Sequence, residues 1–202
     1  MLDAPLRRLI DPPLNRAGAA LAARGVAADT VTLAGLGCGL LAALVLALGA
    51  PTGLALAFIA LSRLADGLDG AVARATRRTD FGGYLDIACD FAFYAAIPLA
   101  YALRAPETNA IPAAFLLAAF YVNAASFLGY AAMAAKRGLE STAQGEKSLY
   151  YAAGLLEGSE TIAFFALLCL WPAAFPAAAW IFGILCLITA TARILAARPI
   201  FR

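Results

Sequence analysis

Histidine is absent from this chain of 202 residues. Acid–base chemistry near neutral pH must therefore come from carboxylates, lysine or tyrosine, and a histidine-dependent mechanism is excluded. Charge is scarce as well: 14% of the residues are Asp, Glu, Lys or Arg, against about 25% in soluble domains. The four cysteines, Cys38, Cys89, Cys169 and Cys186, all fall in apolar stretches and form no CxxC pair. They read as small hydrophobes in helix packing, with no disulfide framework. The N-terminal stretch has no apolar core of the kind a cleavable signal peptide needs, and carries Arg7, Arg8, Arg16 and Arg24 instead. There is no internal repeat and no low-complexity linker.

What remains is hydrophobic. Apolar residues make up 63% of the chain and the mean hydropathy is +0.82, where soluble domains have about 45–50% apolar residues. The composition predicts an all-α integral membrane protein, a single domain over residues 1–202, with no nucleic-acid partner. A membrane-crossing helix takes about 20 apolar residues, and six segments qualify. They run approximately Val31 to Gly49, Leu54 to Thr76, Phe81 to Leu103, Ile111 to Ala135, Lys147 to Leu170 and Ala177 to Ala197. Before them, residues 1–25 place Leu6, Leu9, Ile10, Leu14 and Leu21 at helix-like intervals between the arginines. That pattern predicts an amphipathic juxtamembrane segment lying in the interface plane, broken once by Pro12-Pro13. A disordered basic tail is the alternative.

Six spans put both termini on one side. That side collects the N-terminal arginines, Arg74, Arg77, Arg78, Lys136, Arg137, Lys147, Arg198 and Arg202, and the other receives Arg104 and little else. The bias predicts termini in the cytoplasm. The longest polar stretch, Lys136 to Lys147, is then a cytoplasmic loop. In the first span Gly35 and Gly39 form a small-xxx-small pair that permits close helix approach.

Four aspartates stand out in this setting: Asp66, Asp69, Asp86 and Asp90. A carboxylate at membrane depth costs about 2.5–3.5 kcal/mol on insertion scales, so a compensating partner is required. Asp66 and Asp69 are spaced to share one helix face, as are Asp86 and Asp90. The short polar link Arg77-Arg78-Thr79-Asp80 makes the two helices antiparallel, so both pairs can converge on one point. Oxygen-only ligands select hard cations such as Mg2+ or Mn2+, and a pair of such ions suits displacement at phosphorus. Gly67, Gly70 and Gly82 remove side chains beside the carboxylates, each at about 1 kcal/mol relative to alanine inside a helix, which points to close approach by a substrate. Arg74 can neutralise a phosphate oxygen with its planar fork of donors.

The run DGxxARx7GxxxDxxxD beginning at Asp69, preceded by Asp66, resembles the signature of the CDP-alcohol phosphotransferase family. Those enzymes are six-helix membrane proteins, commonly homodimers, and the resemblance extends over the whole chain. Ala28-Asp29-Thr30-Val31-Thr32 resembles a second family element, Pro-Asn/Asp-x-x-Thr, with alanine standing where proline is usual. The resemblance implies that Asp66, Asp69, Asp86 and Asp90 hold two divalent ions. It implies that Asp90 is the general base and that Asp29, Thr32, Asp69, Gly70, Arg74 and Gly82 bind the CDP moiety. A carboxylate touching a metal is a weak base, so Asp90 is expected to be the least tightly coordinated of the four. The implied reaction is transfer of a phosphatidyl group from CDP-diacylglycerol to the hydroxyl of a small polar alcohol, with release of CMP. A CDP-alcohol donor with a diacylglycerol acceptor is the reverse arrangement.

The acceptor pocket is expected on the last three spans. Candidates are Asn123, Ser126, Lys147, Ser148, Tyr150, Glu157, Glu160 and Arg193. Glu157 and Glu160 suit a polyol or an ammonium, with Glu160 alternatively bridged to Arg193 or Arg63. Lys147 and Arg193 suit a phosphorylated acceptor. A polyol or polyol phosphate is favoured, and an amino alcohol or serine comes second. Intramembrane aspartates also mark ion pathways, so a divalent-cation transporter is the reading from another class. A transporter would distribute polar groups on both sides of the midplane, whereas these cluster at one end. A non-catalytic scaffold would have no need of all four aspartates.

Overall fold

The computed structural model describes residues 3–139 and 158–202. These residues form helices and no strand: α1 Asp3–Ala23, α2 Ala28–Ala47, α3 Thr52–Ala75, α4 Asp80–Arg104, α5 Pro106–Lys136, α6 Gly158–Leu170 and α7 Phe175–Phe201, with one turn of 3₁₀ helix at Pro172–Ala174 before α7. Helices α2, α4, α5 and α7 are long and apolar enough to cross a membrane. The chain is an all-α membrane protein. Helix α3 has the length as well, but Arg63, Asp66, Asp69 and Arg74 interrupt its apolar character. Of the expected fifth span, the described part is the 13-residue α6; its beginning falls in residues 140–157, outside the described residues.

Each break between helices has a local cause. Gly25 and Gly49 adopt positive φ, at 78° and 74°, which ends α1 and α2 in the conformation glycine favours. Thr79 caps α4, its Oγ1 accepting from the Gly82 amide at 3.0 Å. Pro106 occupies the first turn of α5, where its missing N–H costs nothing.

One expectation fails here. Pro12 and Pro13 lie inside α1, which runs unbroken through them. Both prolines are exposed, so their rings press on no neighbouring helix, and the pair is tolerated without ending the helix.

The bundle packs α2 against α3 and α4, α5 against α4 and α7, and α1 against α3. Its core is aromatic and aliphatic: Leu46, Ile59, Phe93, Ile97, Tyr101, Leu116, Phe165 and Phe175 are all buried. Tyr101 stacks on Phe175 with ring centroids 4.5 Å apart. The close approach expected of Gly35 and Gly39 is present. Both are buried in α2, and a Cβ at Gly39 would lie 2.6 Å from the Phe93 ring.

Arginines tie the helix ends together. Arg104 donates to the carbonyls of Leu46 and Ala50 at 3.2 and 2.9 Å, joining α4 to the end of α2. Arg137 donates to the Ile200 carbonyl at 2.7 Å and also to that of Phe201, groups that the end of α7 leaves without intrahelical partners.

Helix α1 docks on the half of α3 that carries the first two aspartates. Leu14 covers Gly67, and Gly18 is pressed against Ala71 so closely that a Cβ would fall 2.8 Å from the Ala71 carbonyl carbon and 2.9 Å from the Val72 nitrogen. Backbone cannot yield as a side-chain tip can. Gly18→Ala is expected to destabilise the protein by about 1–3 kcal/mol through overpacking, read as a lower melting temperature of the purified protein and faster proteolysis within α1.

Candidate active site

Asp66 and Asp69 lie in the last turns of α3, and Asp86 and Asp90 in the first turns of α4. The polar link between these helices makes them antiparallel, which brings both pairs to one end of the bundle. Carboxylate oxygens of Asp66, Asp86 and Asp90 come within 4.8 Å of one another. All four aspartates line a narrow cleft of about 10 Å3 with Thr32, Gly35, Ser62, Arg63 and Cys89.

Asp69 is turned differently. Its Oδ2 accepts a 2.6 Å hydrogen bond from Thr32 Oγ1, and both residues are buried. Gly35, one turn further along α2, permits this: a Cβ there would already stand 3.1 Å from that of Ala65. In the described geometry Asp69 is the aspartate outside the cluster of three.

Asp90 has partners of its own. Arg63 Nη1 donates to Asp90 Oδ1 at 2.8 Å and stands 3.5 Å from Asp66 Oδ1. The Tyr94 hydroxyl approaches Asp90 Oδ2 at a long 3.5 Å. Sequence reasoning had named Arg63 only as a possible partner of Glu160, and it missed Tyr94. An arginine three residues before an aspartate, inside an apolar helix, was the available signal.

The donor chemistry fits a hard divalent cation. Three carboxylates converge with oxygen donors only, and the cleft is about 10 Å3, close to the room needed for one small ion or water. The resemblance implies two ions. Here Thr32 engages Asp69 and the Arg63 guanidinium flanks Asp66 and Asp90.

Of the residues expected to bind a nucleotide diphosphate, Thr32 and Asp69 line this cleft. A Cβ on Gly82 would sit 3.3 Å from Asp29 Oδ1, so Gly82 lets the start of α2 meet the start of α4. A Cβ on Gly70 would be 3.3 Å from Arg74 Nη1. Arg74 itself is exposed and donates from Nε and Nη2 to Asn15 Oδ1 at 3.1 and 2.8 Å.

A second, larger cavity of about 680 Å3 opens between α4, α5, α6 and α7. Phe91, Tyr94, Phe120, Asn123, Thr161 and Arg193 are among its lining residues. Arg193 is buried and donates to Asn123 Oδ1 at 2.9 Å and Ser126 Oγ at 2.6 Å. Three of the acceptor candidates are therefore brought together, and two of them, Asn123 and Arg193, line the cavity. Helix α6 contributes Gly158 and Thr161 to the cavity, while Glu160 accepts from Ser159 Oγ at 3.0 Å. Lys147, Ser148, Tyr150 and Glu157 lie outside the described residues. Asp90 is the residue common to the linings of the narrow cleft and the large cavity.

Residues 25–192 match the model of the CDP-alcohol phosphatidyltransferase family. The chain belongs to this family. The inner membrane protein YnjF of Escherichia coli (strain K12) is 47% identical over 194 residues, covering 96% of this chain and 94% of that one. The fold is similar to that of the Mycobacterium tuberculosis phosphatidylinositol phosphate synthase solved with CDP-DAG bound. The TM-score is 0.72 at 21% identity, over 91% of this chain and 92% of that one.

Loss of one clustered carboxylate removes both a ligand and a charge. Asp86→Asn is expected to weaken Mn2+ binding to the purified protein by about tenfold or more, measured by electron paramagnetic resonance of free Mn2+. Asp80→Asn, on the exposed first turn of α4, is expected to leave it unchanged.

Proposed function

We propose that this protein transfers a phosphatidyl group from CDP-diacylglycerol to the hydroxyl of a small polar alcohol and releases CMP. The observation that carries this reading is the position of Asp90, on the wall shared by the carboxylate cleft and the large cavity. A donor diphosphate in the cleft and an acceptor in the cavity would meet at that side chain.

Each residue then has a task that follows from its chemistry. Asp29 and Thr32 contact the nucleotide, and the missing side chains of Gly70 and Gly82 admit the diphosphate against the backbone. Arg74 offers a phosphate oxygen its guanidinium fork. Mg2+ or Mn2+ held by Asp66, Asp69, Asp86 and, least tightly, Asp90 would supply charge neutralisation for the diphosphate. Asp90 accepts the proton of the acceptor hydroxyl. The oxygen so freed bonds to the phosphorus that carries the lipid, the bond from that phosphorus to the CMP oxygen breaks, and CMP departs with the electron pair.

The acceptor is a polyol phosphate on this reading, ahead of an amino alcohol. Buried Arg193 and Asn123 line one wall of the cavity, and a guanidinium beside an amide suits an anionic group. Lys147, Ser148, Glu157 and Glu160 remain candidates for the rest of the pocket. The arginine bias sets the cleft and both termini on the cytoplasmic side of the membrane, with residues 1–25 as a juxtamembrane segment of one domain. A homodimer is expected from family membership.

The purified protein, incubated with CDP-diacylglycerol, Mn2+ and a panel of alcohols, is expected to form lipid product and CMP fastest with a phosphorylated polyol. Product mass identifies the acceptor; absence of CMP release with every alcohol, or full activity after exhaustive chelation, would sink the reading. Asp90→Asn is expected to lower turnover by about a hundred- to ten-thousandfold while CDP binding, followed by calorimetry, is retained.

A further inference from the structure

Arg63 is held on several sides. Its Nη1 bonds Asp90 Oδ1 at 2.8 Å and stands 3.5 Å from Asp66 Oδ1. Its Nη2 donates to Ser62 Oγ at 3.1 Å. The guanidinium carbon lies 4.5 Å above the centroid of the Phe93 ring, a cation–π geometry. Ser62 and Phe93 are each fully buried, so the guanidinium is fixed by packing as well as by the carboxylates. The side chain is 16% exposed, and among the described residues its Nε is buried without a hydrogen-bond partner. The guanidinium faces two carboxylates with one nitrogen.

Its effect on Asp90 is directional. Oδ1 is occupied by Arg63, and Oδ2 is the oxygen near the hydroxyl of Tyr94, itself a lining residue of the large cavity. We propose that Arg63 is a positioning residue for Asp90 and a resident cation of the carboxylate cluster. It fixes Oδ1 so that Oδ2 is presented to the cavity, and its charge opposes the entry of divalent cations into the cleft. The role of Asp90 in turnover rests on the reaction proposed above; the effect of the charge on cation binding does not.

The test uses the full chain in lipid nanodiscs and two variants, Arg63→Met and Arg63→Lys. Without substrates, Arg63→Met is expected to bind Mn2+ about tenfold tighter than wild type, because a unit charge beside the cleft is removed. Misfolding would loosen binding instead, so the sign separates the two. With CDP-diacylglycerol and an acceptor, kcat of Arg63→Met is expected to fall about tenfold or more through misplacement of Asp90, with KM for CDP-diacylglycerol little changed. Arg63→Lys keeps the charge without the planar fork, so it is expected to return Mn2+ affinity to the wild-type value while kcat stays low.

Unchanged or weaker Mn2+ binding in a folded Arg63→Met would overturn the resident-cation role, and wild-type kcat in Arg63→Lys would overturn the positioning role. If Arg63→Met does not fold, Arg63→Lys alone still decides positioning. If wild-type protein turns over no alcohol, the reaction reading fails while the Mn2+ comparison stands.

Discussion

The carboxylates at one end of the bundle repel one another, and the packing around them answers that repulsion. Two unit charges about 5 Å apart cost about 3 kcal/mol at an effective dielectric near 20, and these have also lost part of their water. The nearest answers are Thr32 on Asp69 and Arg63 between Asp66 and Asp90. Each depends on helices approaching closely. Thr32 reaches Asp69 because Gly35 lets α2 settle against Ala65, and Phe93 supports the Arg63 guanidinium while filling the space left by Gly39. The glycines of α2 and the aspartates of α3 and α4 are thus parts of one arrangement: small residues on one helix allow the charges on the next two to be compensated.

Helices were legible in the sequence where length and hydropathy alone decide them. The spans written around Val31, Leu54, Phe81, Ile111 and Ala177 correspond to α2, α3, α4, α5 and α7, with ends displaced by a few residues. The aspartate spacing foretold that both pairs could converge, because spacing on a helix fixes a face; Asp66, Asp86 and Asp90 meet, while Asp69 turns to Thr32. What spacing does not carry is the orientation of a side chain toward a partner distant in the chain. The Thr32 bond to Asp69 joins residues 37 apart, and the Asn15 bond to Arg74 joins residues 59 apart; neither leaves a local pattern. Pro12-Pro13 misled for another reason. The rule against proline inside a helix is strongest where the lost backbone partner is buried, and here both prolines are exposed.

Arginine serves several ends in this protein, which a count of positive charges by side does not distinguish. Arg104 and Arg137 donate to carbonyls at helix ends, Arg193 binds side chains within a cavity, and Arg63 sits among acids. The bias expected from the sequence thus coexists with individual structural duties, and Arg104 is engaged as a clasp between α4 and the end of α2.

The size of the cavity beside Asp90 has a consequence for fidelity. A volume of about 680 Å3 equals that of on the order of twenty water molecules. On the reaction proposed above, a small alcohol would leave most of such a chamber to solvent or lipid. Hydrolysis of the nucleotide-activated lipid would then not be avoided by drying the chamber alone. Water would have to lose to the alcohol by geometry: the hydroxyl that reacts would be anchored from behind, while a water at the same spot would have nothing to hold it in line.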